Sequence, residues 1–280
     1  MSRSIVANEI LKTYSKWRTY IGFIAVGIVV PLVEFGLKAE GGSIIRNMTR
    51  GLGEDFLIVG NLFNAYFITY FIMNSLWIHI PFLISLVAGD QLAGEATGGT
   101  FRLMLIHPPS RTRILAAKYT TTLLYTLSLV AFLALLGLGL GLALFGTGDL
   151  LVPGGSTITV IARAEVPWRL ALTFGLGIWS MWCVASLAFL FSSLVENAIG
   201  PIIGTMAVII VFLVVSSAPI TFFTEIKPYL FTTYFNVWQK AMEQPVPWSE
   251  IAAHTVYLGL YSICFYAATW YIFVTKDVLS

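Results

Sequence analysis

The chain has 280 residues, 58% of them apolar and 11% charged, with a formal net charge of +2. A soluble domain carries about 25% charged residues, so this balance is that of a polytopic membrane protein whose main solvent is the bilayer. So small a positive charge gives no reason to expect nucleic acid as a partner. The two cysteines, Cys183 and Cys264, sit inside apolar runs and read as packing residues, not as a disulfide or metal pair.

The opening stretch, MSRSIVANEILKTYSKWRTY, has no short apolar core followed by a small-residue cleavage site, so no cleavable signal is expected. Ala7, Ile10, Leu11, Tyr14, Trp17 and Ile21 recur at helical spacing among Arg3, Lys12, Lys16 and Arg18. The pattern predicts an amphipathic helix over 1–18 that lies in the membrane interface and leads into the first span. A crossing needs about 20 mostly apolar residues. Six stretches qualify, at about 19–37, 60–88, 114–145, 168–192, 198–218 and 251–274. The expected fold is all-α: one transmembrane domain over 1–280 with six transmembrane helices.

Six crossings put both ends on one side. Nine of the 16 basic residues fall there: Arg3, Lys12, Lys16, Arg18, Arg102, Arg111, Arg113, Lys118 and Lys276. Their density beside the first and third spans makes that side cytoplasmic. A multi-pass protein of the cell membrane, with both termini in the cytoplasm, is expected.

The insert GDQLAGEATGGTFRLMLIHPPSRTRILAAKY, at 89–119, then faces the cytoplasm. Gln91 and Glu95 share a helical face. Gly98 and Gly99 permit a break. Thr100, Phe101, Arg102 and Leu103 open a second short helix, which Pro108 and Pro109 stop. Ser110 is a good N-cap for the span that follows. This is more order than a connector needs. It suits docking of 89–110 against a soluble partner, and also a helix resting on lipid headgroups.

The segments 38–59, 146–167 and 219–250 lie outside. The last is aromatic and broken by Pro219, Pro228, Pro245 and Pro247, and is expected to form short re-entrant helices in the outer interface. In the third span, Gly137 and Gly141 offer a surface for close helix approach, as Gly200 and Gly204 do in the fifth.

The insert resembles the first cytoplasmic loop of the type-2 permeases of ABC transporters. Their pattern is Glu, Gly-Thr, a hydrophobic helix, Pro and a basic residue entering the third span. Here it reads Glu95, Gly99-Thr100, Leu103 to Ile106, Pro108, Arg111 and Lys118. The six-span layout, LAFLFSSLVENAIG at 187–200 as a second cytoplasmic turn, and the aromatic segment before the last span extend the likeness over the whole chain. The permeases of the nitrous-oxide-reductase maturation and gliding-motility exporters are similar in size.

In that family the element corresponding to 89–110 is a coupling helix, which inserts into a groove on a separate ATP-binding subunit. The resemblance implies an ATPase-docking surface of Gln91, Glu95, Gly98, Gly99, Thr100, Phe101, Arg102 and Leu103, with Glu196 and Asn197 at the second turn. It implies a second permease copy, a lean towards export, and ATP with Mg held by the partner subunit. The chain itself has no G-x-x-x-x-G-K-[ST] loop, so no cofactor of its own and no enzymatic activity are expected.

In the second span Asn61, Asn64, Ile68, Ile72, Ser75 and His79 follow steps of three or four and share one face. Lipid cannot satisfy their polar groups. The stripe suits helix–helix hydrogen bonding alone. It also suits a translocation path completed by Gly200, Gly204 and Val208 of the fifth span, as the family's dimeric arrangement implies.

Two other classes compete with this reading. An intramembrane enzyme needs facing nucleophile, base or metal ligands. Here His79, His107 and His254 are scattered, and neither H-E-x-x-H nor G-x-S-x-G occurs. An ion-coupled secondary transporter usually carries charge near the midplane, whereas Glu34, Glu165, Glu225 and Glu250 read as lying at the outer ends of spans.

Overall fold

A computed structural model describes residues 2–49, 63–97, 110–154 and 157–275. Helix α1 (Ser2–Tyr14) is followed after a two-residue turn by α2 (Trp17–Thr49). At that turn Ser15 Oγ donates to Lys12 O at 2.9 Å, and the Thr19 hydroxyl donates to Thr13 O. Then come α3 (Ala65–Leu76), α4 (Ile80–Ala88), α5 (Asp90–Thr97) and the long α6 (Arg111–Phe145). Ser110 stands at the N-cap position of α6 in extended conformation, but its hydroxyl makes no capping bond.

Among the described residues, five helical stretches are long and apolar enough to cross a membrane: Trp17–Glu40 within α2, α6, α7 (Val166–Leu194), α8 (Ile199–Ser217) and α10 (Trp248–Thr275). The pair α3 and α4 passes the same test together, bent by 58°. The chain is a mostly helical, multi-pass membrane protein. The stretch read from sequence as one span over 60–88 is therefore two helices meeting at an angle. Pro81, in the first turn of α4, has no N–H for the carbonyl of Trp77, and its ring crowds that turn.

Helix α7 is the central strut, packed against α4, α5, α6, α8 and α10. Its small residues Ser180, Cys183, Ala185, Ser186 and Ala188 are buried and let these neighbours come close. Helix α6 lies on α2 and α3. A Cβ on Gly141 would stand 3.3 Å from that of Ala65, so the glycine face expected on this span is turned to α3.

One element departs from the all-α expectation. Strands β1 (Leu150–Gly154) and β2 (Thr157–Ile161) pair antiparallel, from Leu150 opposite Ile161 to Gly154 opposite Thr157. Leu150, Val152 and Ile161 point inward, while Pro153 and Val160 are exposed, the alternation of a half-buried hairpin. The hairpin marks one end of the bundle. Between α8 and α10 the chain forms α9 (Thr221–Thr224) and three 3-10 turns, Lys227–Tyr229, Phe231–Thr233 and Val237–Met242. These are the short helical pieces expected there. Phe231, Trp238 and Met242 of these turns, and Phe235 between them, are buried within the protein.

Candidate functional site

At the end opposite the hairpin, α1, α5 and the start of α6 meet around a cluster of charges. One side of α1 offers Glu9, Lys12 and Thr13, three or four residues apart. Helix α5 offers Asp90, Gln91 and Glu95, and α6 offers Lys118. Lys118 Nζ lies 2.5 Å from Glu95 Oε1 and 2.7 Å from Glu9 Oε2. Lys12 pairs with the same oxygen of Glu95. Asp90 binds Lys16 at 2.8 Å through one oxygen and the Arg18 guanidinium through the other. Gln91 Nε2 donates to Thr13 Oγ1 at 3.1 Å.

The side chains of Lys118 and Glu95 are only 1% and 3% exposed. Removing two charges from water costs several kcal/mol each, a cost met only by close, hydrogen-bonded geometry. Here one ammonium touches two carboxylates, and each buried carboxylate touches two cations. Three carboxylates (Glu9, Asp90, Glu95) against four cations (Lys12, Lys16, Arg18, Lys118) leave one positive charge over.

Two glycines make the geometry possible. A Cβ on Gly94 would lie 2.1 Å from Asp90 Oδ1, so only glycine leaves that carboxylate where Lys16 and Arg18 reach it. A Cβ on Gly89 would stand 2.7 Å from Ser85 O and 2.9 Å from Pro201 Cβ, so glycine lets the joint between α4 and α5 lie on α8. Ser192 of α7 then stitches the joint. Its hydroxyl donates to Gly89 O at 2.6 Å and accepts from Leu92 N and Ala93 N, each at 3.0 Å. Amides in the first turn of a helix lack partners inside it, and α7 supplies one. At the far end of α5, the Thr97 hydroxyl donates to Glu196 O at 2.7 Å. The short helix is thus held by α1, α6, α7 and the turn after α7.

The residues singled out from sequence divide in three. Gly98, Gly99, Thr100, Phe101, Arg102, Leu103 and Asn61 lie outside the described residues. Gln91 and Glu95 do share a face, but it is turned inward and occupied by Thr13, Lys12 and Lys118, so neither side chain is offered to a partner here. Glu196 and Asn197 are exposed on the neighbouring turn, and Asn197 Oδ1 accepts from Gly200 N at 2.6 Å.

The expected path is also redistributed. Asn64 is fully buried and caps α3, accepting from Tyr66 N at 3.0 Å and Phe67 N at 3.2 Å. Its Nδ2 donates to Asp149 O at 2.7 Å and straps α3 to the segment that enters the hairpin, so its amide is occupied within the protein. Ser75 and His79 are exposed while Ile68 and Ile72 are buried, and His79 lies beyond the bend that follows α3, so the stripe meets more than one environment. His79 Nδ1 lies 3.1 Å from Ser75 O. Gly204 lies against the ring of Phe191, and Val208 packs on the main core.

Glu9, Lys12, Lys16, Arg18, Asp90, Lys118 and Ser192 make the cluster, yet no motif in the sequence marked them as a group. The available signal was Lys118, an ionisable residue one turn inside an apolar helix. Among the described residues no three His, Cys, Asp or Glu are grouped to hold a metal.

Residues 44–279 match the family described as "Protein of unknown function (DUF2705)". The chain is also similar to the protein named "Uncharacterized protein YhcI" of Bacillus subtilis (strain 168), 29% identical over 206 residues. That likeness covers 69% of this chain and spans 63% of the relative's length.

Proposed function

We propose that this chain, which belongs to the DUF2705 family, is the membrane-spanning subunit of an ATP-driven transporter. It works with a separate ATP-binding subunit and a second permease copy, and it exports its substrate. The observation that carries the reading is the way α5 is mounted. A short helix just after a broken span is clamped to α1 and α6 by buried charges, and to the end of α7 by Ser192 and Thr97. A push on this short helix is transmitted to α1 and to the long helices α6 and α7 at once, which is what a coupling element requires. The resemblance to type-2 permeases supplies the partner and the energy source. On this reading there are six crossings, α3 and α4 forming one of them, and the charged end with both termini is cytoplasmic. The docking surface is drawn from residues around α5 that stay exposed, Glu196 and Asn197 among them, with the 98–103 stretch. ATP and Mg belong to the partner.

Site-directed photo-crosslinking tests this. A benzoylphenylalanine at Glu196 should capture, in native membranes, a protein that is itself labelled by azido-ATP. The same probe at Val160 on the hairpin should not. Capture of no ATP-binding protein from position 196, or equal capture from both ends, contradicts docking at the charged end.

One observation favours an ion-coupled secondary transporter instead. The carboxyl of Glu34 in α2 is fully buried, and neither oxygen has a hydrogen-bond partner among the described residues. Intramembrane carboxyls of this kind mark ion pathways by default. The purified chain in vesicles, without any ATPase, separates the two. Proton or sodium flux that Glu34→Gln abolishes would support the secondary transporter.

A further inference from the structure

At the hairpin end a cleft of about 740 Å³ opens between α3, the hairpin and the turn Val237–Met242. Small-molecule sites fall in the range of about 300–1,000 Å³. One wall is aromatic, made by Phe67, Tyr70 and Phe71 of α3. Tyr70 is held in place by Trp238, edge-on at 6.0 Å.

Polar groups line the same space. Gln239 Nε2 donates to Asn74 Oδ1 at 3.0 Å, and Asn74 Nδ2 donates to Tyr70 O at 2.9 Å. Glu243 stands at the rim, its side chain 55% exposed. Lys240 holds Glu250 at 2.5 Å and Glu243 at 3.8 Å, so two carboxylates share one ammonium and the rim stays negative. Arg169 does not line the cleft. Its guanidinium binds the carbonyls of Ala241 and Glu243 and the carboxylate of Glu165, which fixes the rim from behind. None of the lining residues described is basic.

Aromatic faces, amides, one carboxylate and no basic residue in the described lining are the surroundings of a positive charge on an apolar frame. We propose that this cleft binds an organic cation with an apolar body. The rings of Phe67, Tyr70 and Phe71 take the body and attract the charge through their faces, and Glu243 adds charge at the mouth. The proposal does not rest on the ATP-driven reading, since binding is a property of the chain alone.

Equilibrium dialysis of the full chain in detergent micelles, with empty micelles subtracted, tests it. The probes are tetraphenylphosphonium and tetraphenylborate, which share a shape and differ in sign. The cation should bind saturably and the anion should not. Glu243→Gln and Phe71→Ala, both at exposed positions, should each weaken the cation by about two- to fivefold. Saturable binding of both ions, or of neither, overturns the proposal. So does a cation affinity that either substitution leaves unchanged.

Discussion

Lys118 keeps its ammonium in a site where almost none of its side chain meets water, and it can do so only because Glu9 and Glu95 both face it. Removing one partner strands the rest. Lys118→Met is expected to destabilise the protein by about 3–5 kcal/mol, since Glu95 is left buried with less compensation. The double variant Lys118→Met with Glu95→Leu should recover part of that loss, because contacting residues do not act additively. Melting temperatures in detergent check both, and a single variant as stable as the wild type would contradict the buried pair. Gly94→Ala makes a second case. The added methyl would displace the Asp90 carboxylate, which Lys16 and Arg18 hold, so the melting temperature should fall although no charge is lost. At this scale the sequence was least informative. Lys118 pairs with residues 109 and 23 positions away, and nothing in local spacing announces such a pairing. Asn64 illustrates the converse. Its position on a polar stripe was visible, but its use as a cap depended on where α3 begins.

Among the elements, the joint between α4 and α5 has the clearest consequence. Ser192 is the one contact from α7 that satisfies Leu92 N and Ala93 N together. Ser192→Ala should cost about 1–3 kcal/mol. It should also speed hydrogen exchange at those two amides relative to amides in the middle of α7, and unchanged exchange at both would contradict the stitch. The apolar lengths that define α2, α6, α7, α8 and α10 were readable from composition, because lipid demands a continuous run. The break in the second span was not. Hydropathy sums apolar residues and does not register the hydrogen bond lost at Pro81. The hairpin had a local signature, β-branched Thr157, Ile158, Thr159, Val160 and Ile161 shortly after the sequence Pro-Gly-Gly. It was submerged in a segment read as a loop between spans.

For the whole molecule, the charged end and the hairpin end should face opposite compartments. With Cys183 and Cys264 replaced, a single cysteine at Ser43 should react with an impermeant maleimide added to intact cells, and one at Ser110 should not. The reverse pattern would invert the protein and place the α1–α5–α6 cluster outside, away from any ATPase. On the proposed function, ATP hydrolysis by a separate subunit acts through the charged end. The most direct measurement is Mg-dependent ATP hydrolysis that purifies with the tagged chain from its own membranes. Such hydrolysis is expected, and Glu196→Lys, on the exposed turn tied to α5, should lower it at least severalfold while the melting temperature of the isolated chain stays the same. Absence of hydrolysis, or hydrolysis indifferent to Glu196→Lys, would contradict the proposed function.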